Sequence, residues 1–208
     1  MFNFFKRKDK LQEKKPSQVR ISIGEQLVNL ERVGITIKRN IEIRDILDLE
    51  IQEYEERPYI HLLMSIGRER EGVESNSDLY PTNDVWCFDR ECIEDHGDYI
   101  RALKRISVMV GPAITITNIQ DYVDIESSES WIAFIANGMN FHYSLSVQGD
   151  WLSLEIFKIF SELLAASGSS KRFFFADTGN EVLVVLIERG CFHQLNELLN
   201  IFIPSSHS

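Results

Sequence analysis

Residues 130–149 run for 20 positions without an Asp, Glu, Lys or Arg. A stretch of that length can cross a bilayer as a helix. In lipid, however, Asn137, Asn140, His142, Gln148 and three serines would each need a polar partner. Asn137-Gly138 also sits between two runs that alternate apolar and polar residues, which is the strongest short-range signal for a β-hairpin. The stretch is therefore read as a buried hairpin, with strands over 131–136 and 139–147. That choice makes the chain a sheet-containing soluble fold.

The last third narrows the fold further. Residues 182–187 are apolar without a break, as expected of a central strand covered on both faces. Strands over 171–176 and 181–188 flank the turn Asp177-Thr178-Gly179-Asn180. A helix over 151–166 carries its only charges, Glu155, Lys158 and Glu162, on one narrow stripe, which makes it a core element with a single wet edge. A last helix puts Phe192, Leu195, Leu198, Leu199 and Phe202 on one face.

The first third reads as helical. Ser22 and Glu25 have capping-box spacing ahead of Leu27, Leu30 and Val33, with Gly34 as the stop. A second helix is expected over 44–55. A third starts at Pro58 and stops at Gly67, with Tyr59, Leu62, Leu63 and Ile66 at helical spacing; a strand over 59–66 fits that spacing less well. Residues 67–83 are polar and turn-rich. Beyond them come a strand over 84–88, a helix over 98–110, one or two strands within 113–125, and the hairpin. The order β-α-β-β-β-α-β-β-α from residue 84 indicates an α+β fold, a helical N-terminal third followed by an antiparallel or mixed sheet backed by helices. The expected units are a basic tail over 1–18, a helical region over 19–80 and an α+β domain over 81–208. One continuous domain over 19–208 is the alternative. Gly97-Asp98-Tyr99 and Gly149-Asp150-Trp151 each place Gly, Asp and an aromatic where a helix is expected to start. Duplication and convergent capping explain that echo equally well.

Charge is divided unevenly. The chain has 22 Lys and Arg against 32 Asp and Glu, a formal net charge of −10. Residues 1–16 alone carry +4, so the remainder carries −14. An apolar content of 44% rules out wholesale disorder, and the acidic balance rules out a nucleic-acid-coating protein. The tail places Phe2, Phe4 and Phe5 beside Lys6, Arg7 and Lys8, a pattern that can rest on an anionic membrane surface or simply stay solvated. Three cysteines, Cys87, Cys92 and Cys191, are too few for a disulfide framework. With no secretory pattern at the start, a reducing cytoplasmic location is expected.

The usual catalytic motifs, nucleophile elbow, phosphate loop, dinucleotide fingerprint and zinc-protease helix, are missing from the sequence. The densest cluster of reactive types is residues 84–98. As a metal site it offers Cys87, Cys92 and His96 but lacks a fourth local ligand, and no metal or cofactor is expected. As an acid–base site it offers His96 with Asp89 or Asp95, in a run polar enough to stay solvated. As an interaction surface it presents Trp86, Asp89, Glu91, Glu94 and Asp95 ahead of a helix that turns basic at Arg101, Lys104 and Arg105. Asp95 and Asp98 also suit the positive end of that helix. His61, His142, His193 and His207 have no partner at motif spacing and read as structural or solvated.

The pattern Trp86-x-Phe88-Asp89-x-Glu91-Cys92-Ile93, followed by Gly97-Asp98-Tyr99, resembles bacterial immunity proteins encoded beside polymorphic toxins. The spacing from Arg57-Pro58-Tyr59 with Leu62-Leu63 and Gly67 through to Asp150-Trp151 adds to it, so the likeness covers roughly residues 55–190. It implies a non-enzymatic cytoplasmic protein that binds and blocks one toxin. An acidic protein would suit a basic toxin domain, since opposite charge steers association.

Overall fold

The computed structural model describes residues 20–70 and 79–205. The tail residues Phe2, Phe4, Phe5, Lys6, Arg7 and Lys8 lie outside the described residues, as do residues 71–78 of the polar stretch after Gly67.

Among the described residues, the chain opens with the helices α1 (Ile23–Arg32), α2 (Ile51–Glu56) and α3 (Ile60–Gly67). The Ser22 hydroxyl caps α1 by accepting the Glu25 N–H at 3.3 Å. The expected helix over 44–55 is only half formed: a 3-10 turn at Ile43–Asp45 is followed by an extended stretch before α2. Asp48 is the reason. Its carboxylate accepts the Tyr54 hydroxyl at 2.6 Å and the Ser65 hydroxyl at 2.8 Å, and pairs with Arg68 at 3.0 Å. Reaching α3 in this way takes residue 48 out of helical register. α3 begins two residues after Pro58, because Tyr59 sits at φ +69°.

Burial acts to raise the Asp48 pKa, but its bonds from Tyr54, Ser65 and its own backbone, with the Arg68 charge, outweigh that and hold it below its ordinary value of 3.8. A folded pKa below the unfolded one adds stability that is complete above about pH 4 and lost as the pH falls through the lower folded value. Asp48→Asn is thus expected to lower the melting temperature at pH 7 and to flatten its decline below pH 4. Calorimetry across that range checks this, and an acid limb of unchanged slope would contradict it.

Among the described residues, seven strands form two antiparallel sheets, where the sequence suggested one. The first contains β1 (Val85–Asp89), β5 (Lys171–Asp177), β6 (Glu181–Glu188) and β7 (Ile203–Pro204), in the order β1-β6-β5-β7. The second is the meander β2 (Ile116–Asp124), β3 (Glu129–Ala136) and β4 (Met139–Ser144). Asn137 and Gly138, at φ +49° and +82°, make the two-residue turn of the expected hairpin. The fold is α+β.

β6 lies between β1 and β5, and its six apolar residues are buried on both faces. Val182, Val184 and Leu186 join one core, with Trp86, Phe157 and Phe173. Leu183, Val185 and Ile187 join the other, with Leu62, Leu63 and Phe174. The second core is closed by α1, α3 and the last helix, α6 (Phe192–Leu198). The first is filled by α4 (Asp98–Val110) and α5 (Glu155–Ala166), with the inner face of the meander beyond them. Phe134 of β3 stacks on Phe160 of α5 with ring centres 5.2 Å apart.

Three further local expectations are corrected. α4 has the expected bounds, but Asp98 does not cap it: its carboxylate accepts the Glu94 and Asp95 N–H groups at 2.7 and 3.0 Å. The cap comes from Asp121 on β2, which accepts the N–H groups of Gly97 at 2.9 Å and Ile100 at 3.1 Å. α5 starts at Glu155, not at Trp151, which instead forms isolated bridges to Glu91 and Gln148. The Gly149-Asp150-Trp151 echo is therefore not a second helix start. α6 ends at Leu198, before Leu199 and Phe202. The Asn196 amide donates to the Phe202 carbonyl at 3.0 Å and accepts its N–H at 3.2 Å, turning the chain into β7.

Candidate binding cleft and its acidic rim

A cleft of about 870 Å³ opens between β1, α4 and β2. Residues 86 and 88 fall on the same face of β1 because side chains alternate along a strand. Their rings lie 4.1 Å apart and form one wall, with Leu152 beside them. Ala102, Arg105 and Val108, at helical spacing on α4, form the second wall, and Ile116 and Ile119 of β2 the third. β2 carries a register shift between Thr117 and Gln120, with Asn118 at φ +50°. A bulge of this kind bends a strand and increases its local twist.

Arg105 is the unusual member of this lining, at 4% exposure. Its Nη2 donates to the carbonyls of Thr82 at 2.9 Å and Val85 at 2.6 Å. The Tyr80 ring lies across the guanidinium, 3.8 Å from its carbon. Nε and Nη1 have no hydrogen-bond partner. Burial pulls the Arg105 pKa down to about 10, against the opposing pull of Tyr80, Asp84 and Glu69, so the group keeps its charge at neutral pH. Burial, with the nearby Glu69 charge, pushes the Tyr80 phenol up to about 12, so that ring is neutral. In the sequence Arg105 reads only as part of a basic stretch. Its position one turn from Ala102 and Met109, on the apolar side of α4, was the available sign of burial.

The structure separates the sequence-selected residues into three settings. Trp86 is 7% exposed and belongs to the cleft wall. Asp89, Glu91, Glu94 and Asp95 are all exposed and follow one another around the connection from β1 to α4. Glu91 accepts the indole N–H of Trp151 at 3.3 Å, and Asp89 accepts the Glu91 N–H at 3.0 Å. Arg90, the one cation among them, turns inward: it pairs with Asp177 at 2.9 Å, stacks 4.4 Å from the Trp151 ring centre, and leaves its side chain 11% exposed.

His96 stands outside the cleft. Its Nδ1 accepts the Val123 N–H at 3.1 Å, and its ring packs on Tyr122 with centres 4.9 Å apart. Asp95, 3.5 Å from that nitrogen, has a side chain 83% exposed. Cys87 faces the core on the far side of β1, whereas Cys92 packs beside the cleft. Burial, with Glu181 nearby, pushes the Cys87 thiol up to about 12; burial, with Asp98 and Asp89, pushes Cys92 up to about 11. Both thiols are thus protonated at neutral pH. Among the described residues, no group of three His, Cys, Asp or Glu side chains is placed to hold a metal ion. Among the described residues, likewise, no helix is long and apolar enough to cross a membrane.

Comparison of the chain with protein-family models, with curated proteins and with solved structures gave no match.

Proposed function

We propose that this protein acts by binding alone, as an immunity-type protein of the reducing cytoplasm whose acidic rim engages a basic toxin domain. The observation that carries this reading is the inward turn of Arg90. With that cation matched by Asp177, four exposed carboxylates face outward along one connection, uncompensated within it. The overall charge of −10 adds a long-range field of the same sign. Cys87, Cys92 and Cys191 are all free thiols, which suits a reducing compartment. A binding role is also supported by the setting of His96, which spends a ring nitrogen on a backbone N–H at an exposed edge, away from the cleft.

The test is affinity capture from the native host, with partners identified by mass spectrometry. It is paired with the variant Asp89→Asn, Glu91→Gln, Glu94→Gln and Asp95→Asn, which keeps side-chain shape while removing four charges. One dominant basic partner is expected, bound at least tenfold more weakly by the variant and progressively more weakly as salt rises from 50 to 500 mM. Recovery of chaperones and abundant proteins only, or a partner indifferent to both salt and variant, would overturn the reading.

A further inference from the structure

We propose that the cleft between β1, α4 and β2 is a binding site for a small organic acid with a flat apolar body, whose anionic group bonds to the unpaired N–H groups of Arg105. This site adjoins the toxin-binding rim, with which it shares Asp89, but its proposed ligand contact lies in the interior at Arg105. A guanidinium has five N–H donors. Nη2 spends both of its own on the Thr82 and Val85 carbonyls, while Nε and Nη1 bond to nothing. Arg105 also makes no ion pair with any carboxylate among the described residues, although its charge is almost wholly withdrawn from water. A buried charge with no carboxylate bonded to it is costly, and an anion bonded to it removes much of that cost. The two carbonyls, the Tyr80 face and the nearby charges of Asp84 and Glu69 compensate it only in part.

The rest of the cleft sets the ligand class. Its volume of about 870 Å³ falls within the range of small-molecule sites, well below what a folded partner occupies. Trp86 and Phe88 offer flat faces, and Ile116, Ile119 and Val108 offer branched aliphatic surface, a lining that suits a ring system. The lining around Arg105 carries both signs, with Lys38, Arg101 and Lys104 against Glu69, Asp89 and Asp98, so charge at the entrance neither repels nor selects an acid. Selection for the acid is left to the interior. Because Nε and Nη1 are closed off from water and Tyr80 is stacked on the guanidinium, binding is coupled to displacement of the Tyr80 ring.

Two fluorescent probes with nearly the same body test this: 8-anilinonaphthalene-1-sulfonate, which carries one anionic group, and N-phenyl-1-naphthylamine, which carries none. The full-length protein is expected to bind one sulfonate per chain, saturably, at least tenfold more tightly than the neutral probe, with energy transfer from Trp86. Arg105→Met is expected to abolish that preference while changing neutral-probe affinity less than twofold. Ile119→Trp, which fills the cleft from β2 and leaves the guanidinium alone, is expected to weaken both probes at least tenfold. Should Arg105→Met fail to fold by circular dichroism, the wild-type preference and the Ile119→Trp result decide the matter together. Equal affinity for both probes in the wild type, sulfonate binding untouched by Ile119→Trp, or no saturable binding of the sulfonate would each overturn the proposal.

Discussion

Replacing Gln26 with leucine is expected to cost about 4 kcal/mol, a large part of the roughly 5–15 kcal/mol that holds a typical domain folded. Gln26 is wholly buried on α1, where its amide serves three backbone groups at once. The NH2 group donates to the Ile21 carbonyl at 2.7 Å and the Tyr54 carbonyl at 2.9 Å, and the oxygen accepts the Tyr59 N–H at 2.7 Å. Leucine has similar bulk and no polar atom, so those groups would lose their partners, two of them, the Tyr54 carbonyl and the Tyr59 N–H, in buried bonds. Each such orphan costs about 1–3 kcal/mol, and the gain from burying a better hydrophobe offsets only part of the total. Tyr59 adds to the loss, because its left-handed backbone is unfavourable for a non-glycine residue and the Gln26 bond helps hold it there. A urea or thermal melt should show a melting temperature lower by about 8–16 °C. Arg32→Ala, on the exposed side of the same helix, should change stability by less than about 0.5 kcal/mol. A loss below about 1 kcal/mol for Gln26→Leu would mean that the three groups find other partners.

Gly67→Ala is expected to reverse the usual sign of its substitution. Alanine inside a helix normally gains about 0.5–1 kcal/mol over glycine. At Gly67, however, a Cβ would stand 2.8 Å from the Cys87 nitrogen and 2.9 Å from Val85 Cγ1. The first of these is backbone in the middle of β1, paired across to β6, and cannot step aside. α3 would have to lift away from the sheet, opening the packing of Leu63 and Ile66, at a net cost of about 2–3 kcal/mol. Gly24→Ala is the matched control: it lies in α1 with nothing within 4 Å of its Cβ, and should stabilise by up to about 1 kcal/mol. Chemical unfolding of the pair compares the two signs directly. A stabilised Gly67→Ala would show that the contact between α3 and β1 gives way without cost, and would overturn this account of the glycine.

Elements with a strong local pattern were legible. The unbroken run in β6, the Asn137-Gly138 turn and the span of α4 all matched their sequence signals, because each depends on neighbours a few residues away. The departures involve partners far along the chain. Asp48 leaves helical register to reach Ser65 and Arg68, and Trp151 leaves it to meet Glu91, 60 residues earlier. The α4 cap comes from Asp121, 24 residues beyond Gly97, while the nearer Asp98 is occupied elsewhere. β7 is two residues long and exists only because β5 offers it an edge. The cleft was illegible for the same reason. Trp86 was singled out as part of an acidic surface, yet its neighbours in space are Phe88 and Phe157, and Arg105 became notable only once its unpaired donors could be seen.

The double-sided burial of β6 also limits how this chain could be divided. Val185 and Val184 are adjacent in sequence, yet one supports the layer of α1, α3 and α6 while the other supports α4 and α5. Cutting the helices from the front of the chain would strip the cover from Leu183, Val185 and Ile187, leaving a flat apolar sheet face open to pairing with other molecules. Synthesis from the N-terminus delivers that cover first, well before the surface it must protect. The first helices therefore behave less like a separable module than like a built-in chaperone for a central strand that arrives late.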